Sequence, residues 1–288
     1  MNGMKTSLRR KIANMAAVTL LWACMGVSAA ILCFILGFLA YKGAGAISWE
    51  FITEPPRSGM TEGGILTPLV GSLQLTAVSM MFAFPIGVLT AVYFSEYSAD
   101  GALTKILRLA VRSLASVPSV VLGLFGLAFF CTFLRFGTSL LSAGLTLGCL
   151  ALPTLITASE TALLNVPREF RDASYALGAT QWQTIYRVVL PSAMPGIITG
   201  GILCIGRVAG ETAPIMFTGA VFFAPGFARN IFDTVMALPY HIYVLATAGT
   251  HIDKTEPLQY GTILVLLVMV LGVSMAGIVA RARMRRRY

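Results

Sequence analysis

The chain has 288 residues, of which 57% are apolar and 11% are charged, and its mean hydropathy is +0.80. Soluble proteins carry about 25% charged residues, so this composition excludes a sizeable soluble domain and indicates a polytopic membrane protein. The formal net charge of +9 does not indicate nucleic-acid binding, because the basic residues flank apolar runs and form no single contiguous patch.

Six apolar runs are long enough to cross a membrane, since about 20 mostly apolar residues suffice for a spanning helix. In chain order they cover approximately residues 13–41, 65–93, 114–134, 140–164, 194–219 and 258–280. We expect the first run to be a retained span, because it is longer than the apolar region of a signal peptide. Residues 220–257 mix proline, histidine and aromatic residues, and they predict short interfacial or re-entrant helices. The predicted fold class is all-α.

The distribution of Lys and Arg predicts the orientation of these spans. Six spans place both termini on one side, and that side receives fifteen Lys and Arg residues against five on the other. Because cytoplasmic loops carry this excess, we expect both termini and the passage from Pro167 to Pro191 to face the cytoplasm. The domains expected are a cytoplasmic tail at 1–12, a transmembrane domain at 13–280 with a cytoplasmic loop at 165–193, and a basic cytoplasmic tail at 281–288.

The cytoplasmic loop contains a polar, helix-competent passage between Pro167 and Pro191. Pro167 suits the first turn of a helix, where its missing N–H is not needed, and Gly178 ends that helix. The positions on one apolar face of this first helix are Phe170, Ala173 and Leu177.

A second short helix is predicted directly after Gly178. Thr180 and Gln183 have the spacing of a capping box, and Pro191 closes the helix. Its apolar stripe consists of Trp182, Ile185, Tyr186 and Val189. Two interpretations of this helix pair remain open. It either docks into a groove of another protein or lies on the lipid headgroups.

Arg207 and Glu211 lie within the fifth apolar run, four residues apart and so on one helix face. Ionisable residues in the hydrocarbon are costly and are treated as functional by default. The functional reading is that Arg207 meets an anion in a transport pathway while Glu211 holds it or weakens its grip. The alternative is a structural ion pair, and Gly206 and Gly210 beside it would allow close helix packing. Glu160, near the cytoplasmic end of the fourth span, is expected to contact a loop or the interface.

The sequence predicts neither a metal site nor a nucleotide site. The five cysteines lie inside apolar runs and show no CxxC spacing. The nearest approach to a phosphate-binding loop is GTHIDKT at Gly249–Thr255, which lacks the glycine before the lysine. We therefore expect no catalytic residue and no cofactor in this chain, and any ATP hydrolysis requires a partner.

The loop resembles the EAA loop of ABC importer permeases, whose pattern is Glu-Ala-Ala, three residues, Gly, nine residues, Ile, one residue and Leu-Pro. This chain has Asp172, Ala173 and Ser174 in the first three positions, and Gly178, Val188, Leu190 and Pro191 follow at the family spacing. The resemblance implies a type I ABC importer permease fold in which Ala173–Gln183 forms the coupling helix and its approach. The residues implied to contact the ATPase are Asp172, Ala173, Ser174, Leu177, Gly178, Ala179 and Trp182.

Three further stretches resemble the phosphate importer permeases of the PstA type. They are GGILTPLVGSLQLT from Gly63, RVAGETAPIMFTGA from Arg207 and ALPYHIYVLATAG from Ala237. The resemblance implies phosphate as substrate and a location in the inner membrane of a bacterial cell. It also implies a heterodimer with a PstC-type permease, two copies of a PstB-type ATPase that binds ATP, and a periplasmic PstS-type phosphate-binding protein. By the same resemblance, Arg207 and Glu211 match the charged pair associated with phosphate passage.

Other functions stay open at this point. One arginine is a thin basis for choosing among anions, so a permease for molybdate or sulfate is the first alternative. A secondary transporter, or a membrane scaffold whose cytoplasmic helices recruit a regulator, is the alternative from a different class.

Overall fold

A computed structural model of the chain describes residues 2–57, 60, 62–98, 101–224, 226–248 and 252–285. The first three residues of the GTHIDKT stretch and residues 286–288 of the basic tail lie outside these ranges. The described part is mostly helical, and its strands are one short hairpin of β1 (Pro56–Arg57) and β2 (Glu62–Gly63), so the predicted all-α class is confirmed.

Twelve α-helices follow one another in the described residues. They are α1 (Asn2–Gly43), α2 (Trp49–Thr53), α3 (Leu66–Val92), α4 (Ala102–Ala115), α5 (Ser119–Gly126), α6 (Leu140–Leu164), α7 (Arg168–Ala176), α8 (Gln181–Thr184), α9 (Leu190–Ala209), α10 (Ala213–Thr218), α11 (Leu238–Thr247) and α12 (Ile252–Arg285). A 3-10 turn at Ala44–Ala46 follows α1, and wider π-type turns occupy Tyr93–Tyr97, Leu127–Phe133 and Ile185–Val189.

Five helical stretches of the described residues are long and apolar enough to cross a membrane, and one bent pair of helices supplies a sixth. The six predicted spans therefore each have a counterpart. The helix of the first span already begins at Asn2, so the basic residues before the span continue the same helix, and the tail expected at residues 1–12 stays a prediction.

The third span is bent, unlike the straight helix predicted over 114–134. Helices α4 and α5 meet at 104° across a break at Ser116–Pro118. Pro118 explains the break, because it lacks an N–H and disfavours helical geometry for the residue before it. Helix α4 is amphipathic and carries Lys105, Arg108 and Arg112, so the charged segment between the second and third predicted spans is mostly helical.

The fifth span, predicted over 194–219, is also interrupted. Helix α9 ends at Ala209, and α10 begins only at Ala213. Pro214 in the first turn of α10 has no N–H to donate to the Gly210 carbonyl, which a continuous helix would require. Glu211 therefore lies in non-helical backbone, which is tolerated at membrane depth where protein surrounds it.

Helix α6 lies at the centre of the bundle, between α3 and α9, while α12 packs on α9 and α1 packs on α12. The main core cluster joins α3, α6, α9 and α10 through buried side chains that include Leu75, Leu147, Leu155, Val208 and Ile215. Helix α1 is exposed at almost every residue from 13 to 42, so its apolar side chains in that range are left for lipid or for another chain.

Residues 220–257 contain one short helix, α11, and an irregular stretch that packs on the start of α6. The backbone N–H of Leu140 donates to the carbonyl of Asp233 at 2.8 Å, and Ala220 and Val235 form a parallel bridge. Short helices were predicted for this region, and α11 is the only one that lies wholly between α10 and α12 in the described residues. Whether this segment is re-entrant stays a prediction.

Candidate functional site

Gly178 ends α7 in a Schellman motif. Its N–H donates to the carbonyl of Tyr175 at 2.9 Å, and the N–H of Ala179 donates to the carbonyl of Ser174 at 3.2 Å. This motif needs a left-handed residue after the helix, and Gly178 has φ +80°. A Cβ at Gly178 would meet nothing within 4 Å, so the glycine is required by its backbone conformation and not by space within this chain.

The predicted capping box at Thr180 and Gln183 is present. The Thr180 hydroxyl accepts from the N–H of Gln183, and the Gln183 side chain accepts from the N–H of Thr180. The hydroxyls of Ser174 and Thr184 lie 2.9 Å apart and are hydrogen-bonded. Helices α7 and α8 are therefore two separate pieces, as predicted, held together by one buried side-chain contact.

The apolar stripe of the second helix is divided between two environments. Ile185 and Val189 are fully buried against Leu163, Val166 and other residues at the ends of α3 and α6. Trp182 and Tyr186 are exposed and stack on each other with ring centroids 6.3 Å apart. The prediction of one stripe available to a partner is wrong for its Ile185 and Val189 half, because these side chains anchor the loop to its own spans.

Five large apolar or aromatic side chains of α7, α8 and the turns beside them are left exposed, Tyr175 at 44% among them, and we refer to the four most exposed as the docking surface. They are Phe170 at 51%, Leu177 at 89%, Trp182 at 60% and Tyr186 at 62% exposure. Among the other residues assigned to coupling, Asp172 and Ala173 are exposed, Ala179 is half-buried and Ser174 is buried. Exposed apolar area of this kind on a short polar element indicates an interaction site.

A buried ion pair that the sequence did not reveal joins this element to the second span. The guanidinium of Arg171 donates to Glu96 Oε1 at 2.7 Å, and it also donates to the carbonyls of Val166 at 2.8 Å and Leu163 at 3.0 Å. The Gln181 side chain donates to the Glu96 carbonyl at 2.7 Å. We call Arg171 and Glu96 the clamp, because they connect α7 to the ends of α3 and α6.

A second ion pair holds the amphipathic helix α4 against the same region. Arg108 pairs with Glu160, donates to the carbonyl of Phe94 at 3.0 Å and lies over the Phe94 ring at 4.9 Å. Glu160, which was expected to contact a loop or the interface, thus pairs with a residue of helix α4. Both ion pairs join residues more than fifty positions apart, which explains why no local sequence pattern identified them.

Arg207 and Glu211 are brought together despite the helix break between them. Arg207 Nε lies 3.6 Å from Glu211 Oε1, and Arg207 Nη1 donates to the Thr154 hydroxyl at 3.5 Å. The Arg207 side chain is 48% exposed and that of Glu211 is 20% exposed. Nearly half of the guanidinium-bearing side chain is thus uncovered within the described chain, and its long contacts leave it able to bind a further acceptor.

The comparison with known proteins decides the family of this chain. The family described as "Binding-protein-dependent transport system inner membrane component" matches residues 83–287. The chain belongs to this family. It is therefore a multi-pass permease subunit of an ABC importer, a transport component without a catalytic role of its own.

Individual relatives cover almost the whole chain. The chain is 32% identical to the probable ABC transporter permease protein YqgI of Bacillus subtilis over 93% of this chain and 95% of that protein. It is 35% identical to phosphate transport system permease protein PstA 1 of Mycobacterium tuberculosis over 98% of this chain and 92% of that protein. The resemblance to PstA-type permeases is thus confirmed along the full length.

The fold is shared with solved importers of more distant sequence. A bacterial alginate ABC transporter, solved with its alginate pentasaccharide-bound periplasmic protein, contains a chain that matches with a TM-score of 0.65 at 16% identity. The match covers 89% of this chain and 92% of that chain. This similarity confirms the type I importer permease fold.

Proposed function

We propose that this chain is the permease subunit of an ATP-driven importer of inorganic phosphate. The observation that carries the proposal is Arg207, a half-exposed cation in an interrupted span, steadied by Glu211 and Thr154. An arginine at membrane depth costs roughly 2.5–3.5 kcal/mol on insertion scales, and anion binding is a function that offsets this cost. The PstA relatives favour phosphate among the oxyanions.

The proposed assembly has two permeases and three further subunits. By analogy with the PstA relatives, a PstC-type permease would complete the pathway, a pair of PstB-type ATPase subunits would bind and hydrolyse ATP, and a PstS-type protein would deliver phosphate from the periplasm. The membrane orientation proposed from the Lys and Arg count places both termini and the 165–193 loop in the cytoplasm. In that orientation the docking surface faces the compartment that holds the ATPase.

The docking surface supports the coupling role of the loop. A partner cleft that covered Phe170, Leu177, Trp182 and Tyr186 would bury apolar area that is exposed in the isolated chain. Movement of that cleft would reach the spans through the clamp and through buried Ile185 and Val189. Asp172, Ala173, Ser174, Gly178 and Ala179 shape or flank this surface in the proposal.

The test is transport of radiolabelled phosphate by the purified complex in proteoliposomes loaded with ATP. Arg207→Gln should abolish transport while the complex still assembles, and Arg135→Gln, which removes an arginine outside the bundle interior, is the matched control. Competition with molybdate and sulfate reports the substrate class. Normal phosphate transport by Arg207→Gln would show that Arg207 and Glu211 form only a structural ion pair. Preferred transport of molybdate or sulfate would show that phosphate is not the substrate.

A further inference from the structure

A groove of about 630 Å³ follows the seam between α6 and α9. Its floor is made of small residues, Ala158 and Ala162 from α6 and Gly196 and Gly200 from α9. A Cβ built on Gly196 would lie 2.6 Å from the Ala162 Cβ, and one on Gly200 would lie 2.6 Å from the Ala158 Cβ. The two helices are therefore in contact along the floor, and the groove is an open trough on their shared surface.

Polar side chains line the walls of this trough. They are Thr154, Thr157, Thr161 and Asn165 from α6 and Thr199 from α9. The hydroxyls of Thr157, Thr161 and Thr199 each donate to the carbonyl four residues earlier at 2.8 Å. Threonines bonded in this way are tolerated against lipid, so the hydroxyls alone do not identify what occupies the trough.

Two arginines beside the groove indicate the charge of its occupant. Arg207 contacts Thr154 at the outer end, and Arg281 of α12 lines the groove as well. A second cavity of about 290 Å³ continues beyond Asn165 to Pro167 and Phe170. No Asp or Glu of the described residues lines either cavity, so the whole trough favours an anion over a cation.

The length of the trough matches half of a membrane. Thr154 and Asn165 are eleven residues apart on the sequence, which corresponds to ~16 Å at the rise of an α-helix. The hydrocarbon core is ~30 Å thick. A route that starts at Arg207 and follows this seam therefore ends near the interface, beside the first turn of α7.

We propose that the seam between α6 and α9 forms one wall of the inner half of an oxyanion route that leads from Arg207 to the cytoplasmic loop. This proposal rests on the proposed function and names the residues of the release path. An anion that leaves Arg207 meets Thr157, Thr161 and Asn165 in turn, and hydroxyls can rotate from a backbone carbonyl to an anion. Several weak sites in series allow an ion to enter and also to leave, and Arg281 supplies the next positive charge.

Thiol labelling tests whether the groove holds water and anions. Thr157→Cys and Thr161→Cys are made in the full complex with the native cysteines replaced, and inside-out vesicles are treated with an anionic, membrane-impermeant thiosulfonate. Both sites should react, and inorganic phosphate should slow the reaction while chloride at equal ionic strength does not. Met81→Cys on α3, where Met81 is 77% exposed and lies outside the groove, is the control that should stay unlabelled.

A transport measurement completes the test. The double variant Thr157→Val with Thr161→Val keeps the side-chain shape and removes both hydroxyls. It should lower phosphate transport about tenfold while the complex retains its ATPase activity. The double Ser variant, which keeps the hydroxyls, should transport phosphate at a near-normal rate. Unreactive cysteines together with normal transport by the double Val variant would overturn the groove route, because the trough would then be filled by lipid or by a partner helix. If the groove route fails in this way but Arg207→Gln still abolishes transport, the proposed function stands. Normal phosphate transport by Arg207→Gln would overturn the proposed function itself.

Discussion

Breaking the clamp should destabilise the loop that carries α7 and α8 and uncouple it from the spans. The side chains of Arg171 and Glu96 are only 15% and 7% exposed, so each charge is largely removed from water and is compensated by the charge of its partner. Removing one member of a buried pair leaves the other charge uncompensated and costs ~3–5 kcal/mol. For Glu96→Gln we expect the lower end, about 3 kcal/mol, because Arg171 keeps the carbonyls of Leu163 and Val166 as acceptors.

The assay is a double-mutant cycle on denaturant-induced unfolding of the purified complex in mixed micelles. Glu96→Gln, Arg171→Gln and the double variant are compared, and contacting residues of this kind show interaction energies of ~0.5–3 kcal/mol. Glu169→Gln removes an exposed carboxylate from the same helix α7 and should change the free energy of unfolding by less than ~0.5 kcal/mol. The same variants are assayed for ATP hydrolysis and for phosphate transport.

The functional expectation is that the single clamp variants hydrolyse ATP but transport less phosphate per ATP. Arg171→Lys should restore little, because a lysine ammonium is a point donor and cannot reproduce the planar fork that serves a carboxylate and two carbonyls together. Additive effects in the cycle, with a coupling energy below ~0.5 kcal/mol, would refute the clamp as an energetic link. Unchanged transport per ATP in both single variants would refute it as a coupling link.

Three further predictions concern the loop and α11. Gly178→Ala should cost ~1–2 kcal/mol of stability, because the residue has φ +80° and only Gly adopts this conformation freely. Within this chain a Cβ at this position meets nothing within 4 Å. A loss of ATPase co-purification greater than this destabilisation explains would therefore report contact between the added methyl group and the partner. Leu177→Ser, at 89% exposure, should leave the free energy of unfolding within ~0.5 kcal/mol of the parent and reduce ATPase co-purification, and Leu103→Ser on α4 should not reduce it. Burial lowers the pKa of His241 to about 4 from its ordinary 6.5. The unfolded chain therefore takes up the proton first, and the stability present above pH ~6.5 should fall by roughly 3 kcal/mol as pH falls toward 4; His241→Phe should remove this dependence in unfolding scans across pH.

The sequence predicted the features that depend on local chemistry. Span number follows from the length of apolar runs, and the Schellman glycine and the capping box follow from residues within a few positions of each other. Pro118 and Pro214 mark both helix breaks in the sequence, but a proline shows only where a helix can bend or end. Whether the chain bends by 104° or continues depends on the helices packed around it.

The features that the sequence did not predict depend on distant neighbours. Periodicity assigns Ile185 and Trp182 to one face of a helix, yet it cannot tell which part of that face meets the ends of α3 and α6. Likewise Glu96 and Arg171 are ordinary loop charges until the fold places them 2.7 Å apart. A charged residue next to a predicted span end is the weak signal that could have suggested such a clamp.

Helix α7 connects the proposed route and the proposed docking site within two adjacent residues. Phe170 belongs to the docking surface and also lines the inner cavity of the groove, while Arg171 beside it is bonded to the ends of α3 and α6. These two residues project from consecutive positions of one rigid turn, so neither can move far without the other. A partner that displaces Phe170 must therefore strain the clamp and change the shape of the inner cavity at the same time. In the proposed mechanism, this is how nucleotide-driven motion of the ATPase reaches the transport pathway.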